Sequence, residues 1–134
     1  MQFTLKEEVV EQLKLVLESI SIIEQRNKDI DSVNDYLSSP WGMTILDATL
    51  MRIQFIGETL LAIDKKTNHS LFQNYPQIPW KQIFGMRNFI SHQYADIDPE
   101  MILVTLRKYI PSLKSVIKQI IADLTSQKDE SAYQ

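Results

Sequence analysis

In Met43-Thr44-Ile45-Leu46-Asp47-Ala48-Thr49-Leu50-Met51-Arg52-Ile53-Gln54-Phe55-Ile56-Gly57-Glu58-Thr59-Leu60-Leu61-Ala62-Ile63-Asp64-Lys65-Lys66, apolar residues recur at steps of three and four. That is the period of a helix with one side against a core. Gly57 lies inside the pattern and allows a close helix approach. Working upstream, Ser39-Pro40-Trp41-Gly42 reads as a break, and the polar stretch 27–39 leaves room for a short helical piece near Ser32–Leu37. Before it, Leu5, Val9, Val10, Leu13, Val16, Leu17, Ile20 and Ile23 predict an amphipathic first helix to about residue 27. It opens at Thr4-x-x-Glu7, which has the spacing of a capping box.

Downstream, residues 68–76 form a connector with a single turn at 70–74. Pro79 suits the first position of a third helix, where its missing N–H is not needed, and that helix is predicted over 79–91. Asp98-Pro99 repeats the start signal for a fourth long helix through Ile102, Leu103, Leu106, Ile110, Leu113, Ile117, Ile120 and Leu124. Pro111 falls inside that pattern and is expected to kink or split it near Arg107. The expected fold is therefore all-α: an up-down bundle of four to five helices with a kinked C-terminal helix. Residues 1–126 are expected to form one domain, and 127–134 a polar, disordered tail.

Composition narrows the class. The chain has 134 residues, 44% hydrophobic and 23% charged, with three glycines, five prolines and no cysteine. Disulfides and thiolate metal sites are thereby excluded, and a reducing compartment is the natural expectation. The N-terminus lacks the basic start and apolar run of a signal peptide, and no stretch approaches the ~18 apolar residues of a membrane span. A cytoplasmic protein is expected. The net charge of −3 is unevenly spread. Residues 1–64 carry five Lys/Arg against eleven Asp/Glu, whereas residues 65–118 carry eight against three. A basic block can meet phosphate through counterion release, although solvated helix faces account for the same charges.

The residues that point to chemistry follow the third helix: Arg87-Asn88-Phe89-Ile90-Ser91-His92-Gln93-Tyr94. On a helix stepping about 100° per residue, Arg87, Asn88, Ser91 and His92 share a polar face, backed by Met86, Phe89, Ile90 and Gln93. Arg87 and His92 are nonetheless about 140° apart on that helix. They share a ligand only across a wide groove, through an unwound helix end, or by pairing with a second copy of the chain. A structural account also fits: Arg87 pairs with a carboxylate such as Glu58, and His92 caps the helix C-terminus. Trp41 and Trp80 read as core or dimer-face residues, and His69 as a loop histidine without a role. No Asp/Glu/His cluster has metal-ligand spacing, so neither a metal nor another cofactor is expected.

The run Tyr75-Pro76-Gln77-Ile78-Pro79-Trp80-Lys81-Gln82-Ile83-Phe84-Gly85-Met86-Arg87-Asn88, continuing to His92-Gln93-Tyr94, with Gly57-Glu58 before it and Ile97-Asp98 and Ile110-Pro111 after it, closely resembles the HepT-like branch of the HEPN superfamily. The family signature Arg-x4-His-x-Tyr is matched by Arg87, His92 and Tyr94, and the likeness covers roughly residues 43–118. It departs where Ser91-His92-Gln93 replaces the frequent valine-His-glycine. The resemblance implies a metal-independent endoribonuclease toxin of a toxin–antitoxin pair, homodimeric, with Arg87 and His92 catalytic and Asn88 and Ser91 supporting. It also implies an MntA-type nucleotidyltransferase antitoxin that silences the nuclease by transferring AMP to Tyr94 (AMPylation). The alternative, from another class, is a non-catalytic HEPN module that docks such an enzyme or its nucleotide.

Overall fold

The computed structural model describes residues 4–88 and 98–132. Among the described residues six α-helices follow in order: α1 (Leu5–Arg26), α2 (Val33–Leu37), α3 (Pro40–Lys66), α4 (Trp80–Gly85), α5 (Pro99–Val104) and α6 (Ile110–Ala132). Short 3-10 turns occupy Phe72–Asn74 and Met86–Asn88, and a π turn spans Thr105–Tyr109. There is no strand among the described residues. The all-α bundle expected from the apolar periodicity is the observed architecture.

The starts of the helices obey local chemistry. The Thr4 hydroxyl accepts the Glu7 N–H at 3.2 Å and donates to the Glu7 carboxylate at 3.0 Å, so two first-turn groups are satisfied together. Ser39 accepts the Gly42 N–H at 2.9 Å, with Pro40 at the first helical position. The segment read as a break is therefore also the start of α3, three residues earlier than the apolar pattern begins. Asp98 accepts the Glu100 N–H at 2.9 Å and opens α5 as its Asp-Pro signal predicts.

Contacts between helices give the topology. Lys66 reaches Gln12, Arg52 reaches Ser19 and Asn27 reaches Thr49, so positions rise along α1 as they fall along α3. Lys114 reaches Glu24, while Leu124 lies beside Val10, so α1 and α6 are antiparallel too. Helix α1 thus lies between α3 and α6, and Val9, Leu13, Val16, Ile20 and Ile23 are buried against Leu50, Ile53, Ile56, Leu60, Leu113, Ile117 and Ile120.

The interruption expected near Arg107 is present, at Thr105–Tyr109, just ahead of Pro111. Proline has no N–H to offer the carbonyl of Arg107, four residues back. The chain absorbs this as a π turn, with the Ile110 N–H donating to Thr105 O, and α5 and α6 stay joined.

Polar anchors hold the ends of the bundle. Asn27 donates to Ile23 O and to the Thr49 hydroxyl, both at 2.9 Å, and accepts the Tyr36 hydroxyl at 2.6 Å. Tyr36 is wholly buried, and that burial pushes its phenol up to about 12, opposed by the nearby Arg107. At the other end Tyr75 donates to Asp123 at 2.6 Å; burial first, then the carboxylate, pushes it up to about 12 as well.

Candidate functional site

Helix α4 and its 3-10 turn place the first half of the sequence motif. Trp80 stacks on Phe72 at 4.1 Å and donates its indole N–H to Tyr75 O at 2.8 Å, with Phe84 completing the cluster. Trp80 is therefore a packing residue. Ile83 and Met86 are buried and pin the inner side, while Arg87 and Asn88 face outward and are exposed. The helix expected over 79–91 differs in its last described turn. It tightens to 3-10 geometry at Met86–Asn88, so Arg87 and Asn88 are spread further around the axis than an α-helix would place them.

Gly57 is what lets this turn sit so low on α3. A Cβ there would meet Arg87 N at 2.7 Å, Ile83 O at 3.2 Å and Met86 C at 3.2 Å, all of them backbone atoms. A backbone-to-helix approach this close demands glycine. Next to it, Glu58 is exposed and accepts a hydrogen bond from Gln54 at 3.2 Å. Ser91, His92 and Tyr94 lie outside the described residues.

His69 has a place that its sequence context did not suggest. Asn68 and His69 adopt positive φ (54° and 61°), which turns the chain back after α3. The His69 N–H then donates to Asp64 O at 2.8 Å, and its Nδ1 meets the buried Asp64 carboxylate at 2.6 Å. The histidine closes the end of α3. Among the described residues no group of three His, Asp or Glu side chains can hold a metal ion, and no helix is long and apolar enough to cross a membrane.

A second surface emerges on the outward face of α3. Trp41 is 72% exposed and Met51 69%, with Phe55 also exposed. At about 100° per residue, Trp41, Thr44, Ala48, Met51, Phe55 and Ala62 fall within about 80° of one another, opposite the buried side. Periodicity alone missed this stripe as a unit, because α3 is apolar on both faces and only packing separates core from surface. The signal was present in the spacing 41, 44, 48, 51, 55.

Comparison with known proteins gives this arrangement a family. Residues 16–120 match the family described as "Ribonuclease HepT-like". A Methanocaldococcus jannaschii protein named "Gamma-glutamylcyclotransferase and putative RNase MJ0434" is 32% identical over 87% of this chain. That match spans only 49% of the relative's own length. "Putative RNase TTE0752" of Caldanaerobacter subterraneus subsp. tengcongensis is 28% identical over 81% of this chain and 90% of its own. "Probable ribonuclease HepT" of Thermococcus cleftensis is 26% identical over 81% and 91%. No solved structure matches the chain closely enough to count as a relative. The family match runs from the second half of α1 through α3 and α4, with its exposed Arg87, to the first half of α6: the chain belongs to the ribonuclease HepT-like family.

Proposed function

We propose that this member of a ribonuclease family is a metal-independent endoribonuclease, acting as the toxin of a toxin–antitoxin pair, with Arg87 and His92 as its catalytic residues. The observation that carries the reading is the setting of Arg87. It is an exposed guanidinium on a turn whose backbone is seated against Gly57 and whose inner side is anchored by Ile83 and Met86. The backbone of the turn is fixed in this way, and a guanidinium carried on it can bind a phosphodiester through paired N–H donors and stabilise charge building on phosphorus. An imidazole titrates near neutrality and can carry a proton in either direction. In the step proposed, one His92 takes the proton of a ribose 2′-hydroxyl and the 2′-oxygen bonds to phosphorus. The 5′-oxygen then leaves with a proton from the other His92 of a dimer, giving a cyclic 2′,3′-phosphate and a 5′-hydroxyl.

The dimer follows from the same reading. The outward face of α3 is an apolar surface that a second copy would cover. Asn88 and Ser91 would contact phosphate beside Arg87. A nucleotidyltransferase antitoxin would silence the enzyme by placing AMP on Tyr94, where the added anion competes with RNA for Arg87.

Expression of the chain alone should arrest bacterial growth, and His92→Ala should relieve the arrest. The purified protein should cut RNA in EDTA and leave cyclic or 3′-phosphate ends. Cleavage that requires Mg²⁺, or that survives in His92→Ala, would refute the mechanism. Stable nucleotidyltransferase binding with no cleavage under any condition would favour a non-catalytic docking module instead.

A further inference from the structure

We infer that the groove between the connector before α4 and the π turn is a second RNA contact, binding a phosphate of the strand away from the one that is cut. The inference rests on the nuclease reading above and assigns it a subsite.

The groove has a volume of about 250 Å³. Ile78 and Ile83, both buried, form its floor, and Gln77, Lys108, Tyr109 and Ser112 border it. None of its lining residues is acidic. Its polar groups are an ammonium, a hydroxyl, an amide and a phenol, a set that favours an anion with several acceptor oxygens.

Three other cations of the basic block are engaged within the fold. Arg107 donates to Asp31 O, Lys114 pairs with Glu24 at 2.8 Å, and Lys66 lies between Gln12 and Glu8. No ion pair among the described residues involves Lys108. Its ammonium rests over the Tyr109 ring, 5.6 Å from the centroid, a weak contact that steadies the side chain and leaves its N–H donors available. Ser112 follows four residues later on the same helical face and adds a hydroxyl.

The groove is also near Arg87. Ile83 belongs to its floor, and Ile83 O and Arg87 N both lie against the same point on Gly57. Four residues along a helix cover only ~6 Å of axis. A single RNA strand held at Arg87 therefore passes close enough for a neighbouring phosphate to reach Lys108 and Ser112, with its sugar over the apolar floor. Lys108 is a positioning residue in this scheme, remote from the reacting atoms.

The test uses a short, fluorescein-labelled, mixed-sequence single-stranded RNA. Lys108→Ala should raise KM about threefold to tenfold and leave kcat unchanged, because a remote contact is equally strong in ground and transition states. Lys108→Arg should restore KM. In the His92→Ala background, Lys108→Ala should flatten the salt dependence of binding by about 0.7 in log–log slope, one phosphate contact on a single strand. Arg87→Ala, by contrast, should lower kcat. If wild type cuts the RNA while Lys108→Ala keeps its KM and salt slope, or loses kcat alone, the subsite is wrong and the nuclease reading stands. If wild type neither binds nor cuts RNA, both fall.

Discussion

Replacing Gly57 with alanine tests how the fold aims Arg87. The new methyl would lie 2.7 Å from Arg87 N, where ordinary contact begins at about 3.4 Å, so the turn must recede by roughly 0.7 Å. The obstructing atoms are all backbone, and no side chain can swing aside to relieve them. Overpacking of this kind costs about 1–3 kcal/mol, while alanine gains about 1 kcal/mol over glycine within a helix. The net destabilisation is therefore small, about 0–2 kcal/mol. For a chain of 134 residues that lowers Tm by roughly 0–7 °C. The effect on activity should be larger in proportion, since a misplacement of about 1 Å at a catalytic group costs around a hundredfold. Gly57→Ala is expected to stay folded by circular dichroism and urea titration, with kcat for RNA cleavage down tenfold or more. Gly85→Ala is the control: nothing lies within 4 Å of its Cβ, so activity should be kept and stability unchanged or slightly raised. A Gly57→Ala protein with wild-type kcat would refute the claim that the α3–α4 contact positions a catalytic Arg87.

Four further outcomes are expected. Asn27→Ala leaves the buried hydroxyls of Tyr36 and Thr49 without their partner and should cost about 2–4 kcal/mol in a urea titration; a loss below 0.5 kcal/mol, on the order of a surface change, would show that the network is incidental. With its phenol pushed up to about 12 against an unfolded value of 10.0, Tyr36 contributes stability that is complete below pH 10 and lost as pH rises towards 12. The loss is at most about 1.4 kcal/mol per pH unit for this group, and alkaline melts of Tyr36→Phe should lack that component. Met51→Arg on the outward face of α3 should weaken the proposed dimer at least tenfold in sedimentation equilibrium without lowering Tm of the monomer; an unchanged dimer would move the interface elsewhere. Tyr94→Phe should keep ribonuclease activity but take up no AMP from the cognate nucleotidyltransferase, as intact-mass measurement would reveal.

The sequence by itself determined the helices and their order. Thr4, Ser39-Pro40 and Asp98-Pro99 start helices through bonds made within one turn, and the three-and-four spacing of Leu13, Ile53 or Ile117 marks a buried side whatever partner covers it. It also determined the family, because the run through Arg87 is a string of residue identities readable without coordinates. Tertiary structure alone decided the rest. The form of the interruption near Arg107 is one such matter: the sequence allowed a kink or a split ahead of Pro111, and the folded chain makes a π turn at Thr105–Tyr109. His69, unremarkable in sequence, became the closure of α3 once a left-handed turn carried it back to Asp64. The apolar residues of α3 divided into core and surface only when α1 and α4 took their sides, leaving Trp41 and Met51 in solvent. Gly57 could be read as a place of close approach, but that the approaching atoms belong to Arg87, thirty residues on, depends on distances through space. Local hydrogen bonds and periodicity act over four residues and are written in the chain; which side of a two-faced helix is covered is settled by the elements that arrive from far along it.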